Sequence, residues 1–361
     1  MKKRLLSMIL AMSMALSLAA CSNPGAASGG SASSADSGVS ASQQGDGSSQ
    51  SQAAFPVTVT DAAGREVTIQ EEPQTLVSGY YITTSMLIAL GHADKLVGIE
   101  AKADTRPIYS LAAPELLELP SVGTAKSFDL ETCAALKPDL VILPLKLKDT
   151  IPALEELGIT VITVNPESLE ELNETIELLN AVIGDPVKGW ELLDYNRQTE
   201  EFLAETLADV EKPSVYLAGN SSYLSTAGAA MYQNTLLELG GGENVAAGLE
   251  DTYWVDISYE QLLTWNPEVI IMASDADYTK DELLADPQLQ QLDAVKNGRV
   301  YAMPSAFESW DSPVPSALVG SRWVASVLHG ERYDFERFRA DAAEFYQQFY
   351  GIEIDTQLLG W

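Results

Sequence analysis

Cysteine is nearly absent from this chain: only Cys21 and Cys133 occur in 361 residues, which excludes a disulfide framework and any cysteine-rich metal centre. Cys133 lies inside Leu130-Glu131-Thr132-Cys133-Ala134-Ala135-Leu136, an apolar helical pattern in which a lone thiol reads as a small buried hydrophobe. Histidine is as scarce. His92 and His329 are far apart in sequence and share no ligand spacing, so they read as surface or helix-end residues and direct coordination of a bare metal ion is not expected. Haem ligation through a Tyr or His stays open. Positive charge is the third deficit: 21 Lys+Arg face 52 Asp+Glu, a formal charge of −31, and such a surface repels nucleic acid and anionic headgroups. The acids are spread along the chain instead of forming a block, which marks a solvated surface and not a binding tail. There is also no phosphate-cradling Gly loop with Lys and no nucleophile-elbow motif. A hydrolase built on carboxylates scattered in sequence, an extracellular enzyme on a two-lobed scaffold, is the reading left open from a different functional class.

What is present begins at the N-terminus. Lys2, Lys3 and Arg4 precede an uninterrupted apolar run that closes on Leu18-Ala19-Ala20-Cys21. A basic start, a short apolar stretch and small residues before a Cys predict a lipoprotein signal peptide over residues 1–20, with Cys21 as the lipidated first residue of the mature chain. Two or more acyl chains on one residue give stable anchoring to the outer face of the cell membrane. Loss of residues 1–20 removes three basic and no acidic residues, leaving 18 Lys+Arg against 52 Asp+Glu, or −34. Residues 22–54 are almost all Ser, Gly, Ala and Gln, with no aromatic residue and no apolar period. Such a segment cannot offset its ordering entropy and reads, with Cys21, as a tether over 21–54. A flexible chain of that length holds its cargo on average about 30 Å from its anchor.

From Phe55 on, the chain is long enough for two domains of ordinary size. Val57-Thr58-Val59-Thr60 and Arg65-Glu66-Val67-Thr68-Ile69, joined by Asp61-Ala62-Ala63-Gly64, predict a hairpin. Short apolar runs then alternate with helical patterns: Leu76-Val77-Ser78, Leu96-Val97-Gly98-Ile99, Leu140-Val141-Ile142-Leu143 and Thr160-Val161-Ile162-Thr163-Val164. The plan repeats with Ser214-Val215-Tyr216-Leu217-Ala218, Val269-Ile270-Ile271-Met272-Ala273 and Val300-Tyr301-Ala302-Met303. Continuous apolar strands spaced by helices imply mostly parallel sheets covered on both faces. The expected fold is therefore α/β, with two lobes over 55–185 and 213–361. Between them, Pro186 opens a connecting helix within 186–212, patterned over about residues 187–210 by Trp190, Leu193, Phe202, Leu203 and Leu207. One long helix between lobes is a stiff joint, so limited closure around a ligand is expected.

Several segments in one order carry a resemblance: Asp61-Ala62-Ala63-Gly64-Arg65, Leu90-Gly91, Asp129-Leu130-Glu131, Leu136-Lys137-Pro138-Asp139-Leu140-Val141-Ile142, Leu239-Gly240-Gly241-Gly242-Glu243-Asn244-Val245, Ile257-Ser258-Tyr259-Glu260-Gln261-Leu262 and Trp265-Asn266-Pro267-Glu268-Val269-Ile270-Ile271. Together they make residues 55–350 resemble the substrate-binding lipoproteins of iron–siderophore and vitamin B12 ABC importers. The resemblance implies two α/β lobes with the ligand between them, capture of a metal chelate, most simply an iron–siderophore complex, and delivery to a permease dimer with its ATPase. A cobalamin, corrinoid or haem receptor of the same importer class is the alternative. No resident cofactor is implied, since iron or cobalt would arrive with the ligand. The resemblance also implies that Glu131 and Glu260, one on each lobe, dock onto basic pockets of the permease, where paired charges fix register and speed encounter.

Ligands of open α/β sheets sit beyond the carboxyl ends of the strands. That rule selects Tyr80 and Tyr81, Lys126 and Phe128, Lys146, Tyr223 and Tyr232, Tyr253 and Trp254, and Trp310 as cleft candidates. Aromatic faces with a few donors suit a bulky, partly flat chelate or corrin. Each of these residues has a packing alternative, and Tyr216 and Tyr301, alternating within strands, read as core. Lys126 stands near where hydroxamate-binding relatives often carry Arg, and a Lys cannot reproduce a bidentate fork. The candidate cations, including Arg106, Lys126, Lys146 and Lys148, are scattered, which favours a neutral or weakly charged ligand over a strongly anionic catecholate.

Overall fold

The computed structural model describes residues 55–250 and 253–360. The signal peptide over 1–20, Cys21 and the tether over 21–54 lie outside the described residues.

The first lobe opens with strands β1 (Val57–Thr60) and β2 (Glu66–Ile69), an antiparallel hairpin with Val57 opposite Ile69. Its turn is organised by the buried Asp61, whose carboxylate accepts from the Ala63 and Arg65 amides at 3.0 Å each and pairs with Arg65 Nη2 at 2.7 Å. Gly64 supplies the positive φ of 73° that a side chain would resist. Then follow β3 (Leu76–Ser78), α1 (Tyr81–Ala89), β4 (Leu96–Gly98), α2 (Pro107–Ala112), β5 (Gly123–Thr124), β6 (Ser127–Phe128), α3 (Leu130–Leu136), β7 (Leu140–Pro144), α4 (Ile151–Glu156), β8 (Thr160–Val164) and α5 (Leu169–Ile183). The sheet order is β4-β3-β7-β8, every pairing parallel. All five residues of β7 are buried, as a strand covered on both faces must be.

Helix α6 (Val187–Thr206) leads to the second lobe. At 20 residues it is about 30 Å long, one turn shorter than its apolar pattern predicts because the chain leaves helical geometry at Leu207. The second lobe runs β9 (Ser214–Ala218), β10 (Ser225–Thr226), α7 (Tyr232–Leu239), β11 (Glu243–Asn244), β12 (Val255–Asp256), α8 (Tyr259–Trp265), β13 (Val269–Met272), α9 (Lys280–Ala285), α10 (Asp293–Lys296), β14 (Val300–Ala302), α11 (Ala317–Leu328) and α12 (Phe335–Tyr350). Its sheet, β11-β9-β13-β14, is again all parallel. Both sheets thus place the second strand first, then the first, third and fourth. The fold is two α/β lobes with parallel sheets.

Packing makes the lobes one body. Leu76 of β3 faces a hydrophobic cluster that runs without a break to Trp323 and Tyr346 of the second lobe, whereas its neighbour Val77 faces a separate outer cluster with the buried Cys133. The second lobe has a matching outer cluster around Tyr216, Leu262 and Ile270. Arg322 on α11 clamps the joint. Its guanidinium bonds Thr199 of α6 at 3.0 Å and Asp341 of α12 at 2.7 Å, and it lies 4.8 Å from the Phe202 ring centroid. Helix α12 adds a second brace, since Tyr350 at its end reaches Ser85 of α1 at 3.1 Å.

Some expectations are corrected here. Both histidines are buried, not at the surface, although each does stand at a helix end. The reason is that each ring binds a backbone carbonyl: His92 Nε2 meets Asp185 O at 3.2 Å and His329 Nε2 meets Gly241 O at 3.0 Å. Tyr301 is half-buried on the edge strand β14, whereas Tyr216 is core as expected.

Candidate binding site between the lobes

Segments that follow strand ends in both lobes meet around a cavity of about 160 Å³. The first lobe contributes Tyr81 and Ser85 of α1 and residues 105–109 around the start of α2; the second contributes Asp275 after β13, and Ser305, Phe307, Glu308, Ser309 and Val314 after β14.

On the first wall, the Arg106 guanidinium lies 4.0 Å from the centroid of the Tyr81 ring, a cation–π contact that orients the side chain without neutralising it. No carboxylate lies within ion-pair distance of Arg106 among the described residues. Tyr80, at the head of α1, meets Tyr81 edge-on at 5.2 Å. Beneath them, the Tyr109 hydroxyl lies 2.7 Å from Glu100 Oε1, and Thr84 Oγ1 donates to Glu100 Oε2 at 2.6 Å. Burial pushes the Glu100 carboxyl above its ordinary range against the pull of those two hydroxyls.

The second wall is acidic. Glu308 is buried and accepts from Ser316 Oγ at 2.5 Å, Tyr350 Oη at 2.8 Å and Ser85 Oγ, so one carboxyl ties both lobes together. Burial again pushes it up, opposed by the hydroxyls of Ser316, Ser85 and Tyr350. Asp275 is exposed at the cavity and is held by the Ser309 hydroxyl. Behind it Asp311 is buried, accepts from the Ser274 amide at 3.2 Å, and is pushed up to about 6 by burial, partly offset by Ser274 and reinforced by the Asp275 charge. Tyr81 Oη reaches Ser312 Oγ across the lobes at 3.4 Å.

Of the residues selected by sequence, only Tyr81 lines this cavity. Trp310 is a correction: it is 1% exposed, donates its indole N–H to Tyr346 Oη at 3.0 Å and meets Phe338 edge-on at 5.9 Å. An indole satisfied inside the core has no face left for a ligand. Tyr232 is a second correction, since it is buried in the core at the first turn of α7. Tyr223 turns away from the cavity to give Asp286 Oδ2 a 2.7 Å hydrogen bond, shared with Tyr259 at 2.6 Å. Phe128 packs half-buried on the outer cluster of the first lobe, and Lys126 and Lys146 are exposed. Tyr253 is 77% exposed. Trp254 is half-buried over Gly219, where a Cβ would come within 2.7 Å of the indole, so the glycine admits the ring. The acidic lining is not among the candidates, because aromatic and basic side chains are the ones that suit a chelate. The strand-end rule itself points to the segments holding Asp275 and Glu308.

The two lobes carry a matching segment. Glu131 and Glu260 are both exposed at the second position of a seven-residue helix, α3 and α8. Each helix is capped by a side chain, Asp129 accepting from the Thr132 amide at 2.9 Å and Ser258 from the Gln261 amide at 3.1 Å. Each ends on a left-handed residue, Lys137 at φ 51° and Asn266 at φ 40°, followed by Pro and an acid. Asp139 and Glu268 then bond the amides of Thr75 and Ser214, both at 2.9 Å, at the strands alongside. The two glutamates therefore occupy equivalent places in a structural repeat.

Residues 76–307 match the family model described as "Periplasmic binding protein". The molybdate-binding protein MolA of Haemophilus influenzae is 27% identical, the alignment covering 81% of this chain and 90% of that protein. The uncharacterized ABC transporter substrate-binding lipoprotein YvrC of Bacillus subtilis is 30% identical over 83% of this chain and 90% of its own length. Among solved structures, a periplasmic solute binding protein from Veillonella parvula superposes with a TM-score of 0.75 at 26% identity, covering 84% of this chain and 95% of that one.

Proposed function

The chain belongs to the periplasmic binding protein family and is a substrate-binding protein of an ABC importer, not an enzyme, and we propose that its cargo is a compact metal-containing anion or small anionic metal chelate. The observation that carries this reading is Arg106, unpaired among the described residues, in a cavity of about 160 Å³ on a chain of net charge −31. An arginine without a carboxylate partner, oriented by an aromatic ring, is a fork prepared for an anionic oxygen pair. The kinship with a molybdate-binding protein supports the small end of the range. A full-sized iron–siderophore or corrinoid is the second reading, supported by the half-buried Tyr80 and Trp254 and the exposed Tyr253 as aromatic surface outside the cavity. It requires the lobes to open further.

The proposal extends to both ends of the transport step. Cys21 carries the lipid that keeps the protein at the outer face of the membrane. Glu131 and Glu260 engage the permease, their matched settings on α3 and α8 supporting a two-point contact. The test uses the Glu131→Ala, Glu260→Ala double variant with the cognate permease in vesicles. Ligand affinity stays at the wild-type value while stimulation of the ATPase is lost. Normal stimulation, or lost ligand affinity, would remove the docking assignment.

A further inference from the structure

The two walls of the cavity have opposite polarity. The first lobe offers Arg106, which can only donate hydrogen bonds, and the second offers Asp275 and Glu308, which when ionised can only accept them. Glu308 is already engaged by Ser85, Ser316 and Tyr350. Asp275 is different: Ser309 donates to its Oδ2, and among the described residues Oδ1 receives no hydrogen bond. Neither carboxylate has a cation within ion-pair distance among the described residues.

An anion seated on Arg106 in so small a space meets this acidic wall on its far side. If it has only acceptors there, lone pairs face lone pairs and Asp275 loses water without replacement. If it has a donor, the same wall becomes attractive. We propose that Asp275 is a specificity-determining residue that accepts a hydrogen bond from the ligand, which is therefore a compact anion carrying an O–H, N–H or metal-bound water on the side away from Arg106. This rests on the compact-anion reading above. An anion seated there takes Oδ1 out of water, and without a donor it gives no hydrogen bond in return, so anions without a donor bind roughly ten- to hundredfold more weakly.

Inorganic phosphate and sulfate test this, being similar tetrahedra of which only phosphate keeps an O–H at neutral pH. Titration calorimetry on the full-length chain at fixed ionic strength is expected to show phosphate binding more tightly by that factor. Asp275→Asn, whose exposed amide can donate as well as accept, is expected to bring the ratio close to one by strengthening sulfate. Equal affinities in the wild type, or an unchanged ratio in Asp275→Asn, would overturn the inference and leave the compact-anion reading standing. Binding of neither anion would overturn the inference as well, while the compact-anion reading is tested separately by locating the bound metal.

Discussion

Asp311→Asn should make the protein more stable at neutral pH, and the size of the gain follows from where Asp311 sits. The carboxyl is buried, has no cation at ion-pair distance among the described residues, and feels the charge of Asp275. These conditions raise it from 3.8 to about 6, and at 1.36 kcal/mol per unit the gap corresponds to about 3 kcal/mol. A folded pKa above the unfolded one means that the native state holds the proton more tightly between about pH 4 and 6, so this group's contribution falls as pH rises through that window. Below it both states are protonated and the difference vanishes; above it the full penalty of a buried charge applies. Asparagine keeps an oxygen for the Ser274 amide and never ionises. Urea denaturation of both proteins from pH 3.5 to 8 should therefore give a difference near zero in acid that grows to about 3 kcal/mol in favour of the variant above pH 6. Glu100 and Glu308, also raised by burial, are common to both proteins and cancel. A difference that does not change with pH, or a variant less stable at pH 7, would refute the reasoning.

Arg322→Met should destabilise the chain by about 1.5–3 kcal/mol, because it removes the charge-assisted hydrogen bond to Asp341 and the bond to Thr199 at the joint of α6, α11 and α12, leaving Asp341 with the Tyr333 hydroxyl; adding Asp341→Asn should recover part of the loss in a double-mutant cycle. Trp310→Ala should lower stability by about 3–5 kcal/mol, as emptying an aromatic site in a core does. Chemical denaturation measures it, and unchanged stability with lost ligand binding would return Trp310 to the cleft.

Much of the architecture was legible because parallel strands buried on both faces write themselves as short apolar runs. Leu140-Val141-Ile142-Leu143 and Val269-Ile270-Ile271-Met272 leave little choice of state, and Pro186 marks where α6 begins. The binding site was not readable in the same way. A loop side chain has no period to reveal its direction, so Trp310 and Tyr232 were selected for size although packing against Tyr346 and the head of α7 draws them inward. In the sequence Arg106 is one scattered cation among several. Its significance comes from what it lacks, a carboxylate partner, and from Tyr81 beneath it, and a chain folded in three dimensions is needed to see either. The brace from α12 to α1 depends on Tyr350 meeting Ser85 and Glu308, residues 265 and 42 positions away.

The most direct measurement is anomalous diffraction from crystals of the protein isolated with its native ligand, collected at the absorption edge of the metal found by elemental analysis. A single peak inside the cavity bounded by Tyr81, Arg106, Asp275 and Phe307, lost in Arg106→Gln, is the expected result. A peak on the rim beside Tyr253 and Trp254, or one that persists in Arg106→Gln, would contradict capture of a compact anion between the lobes.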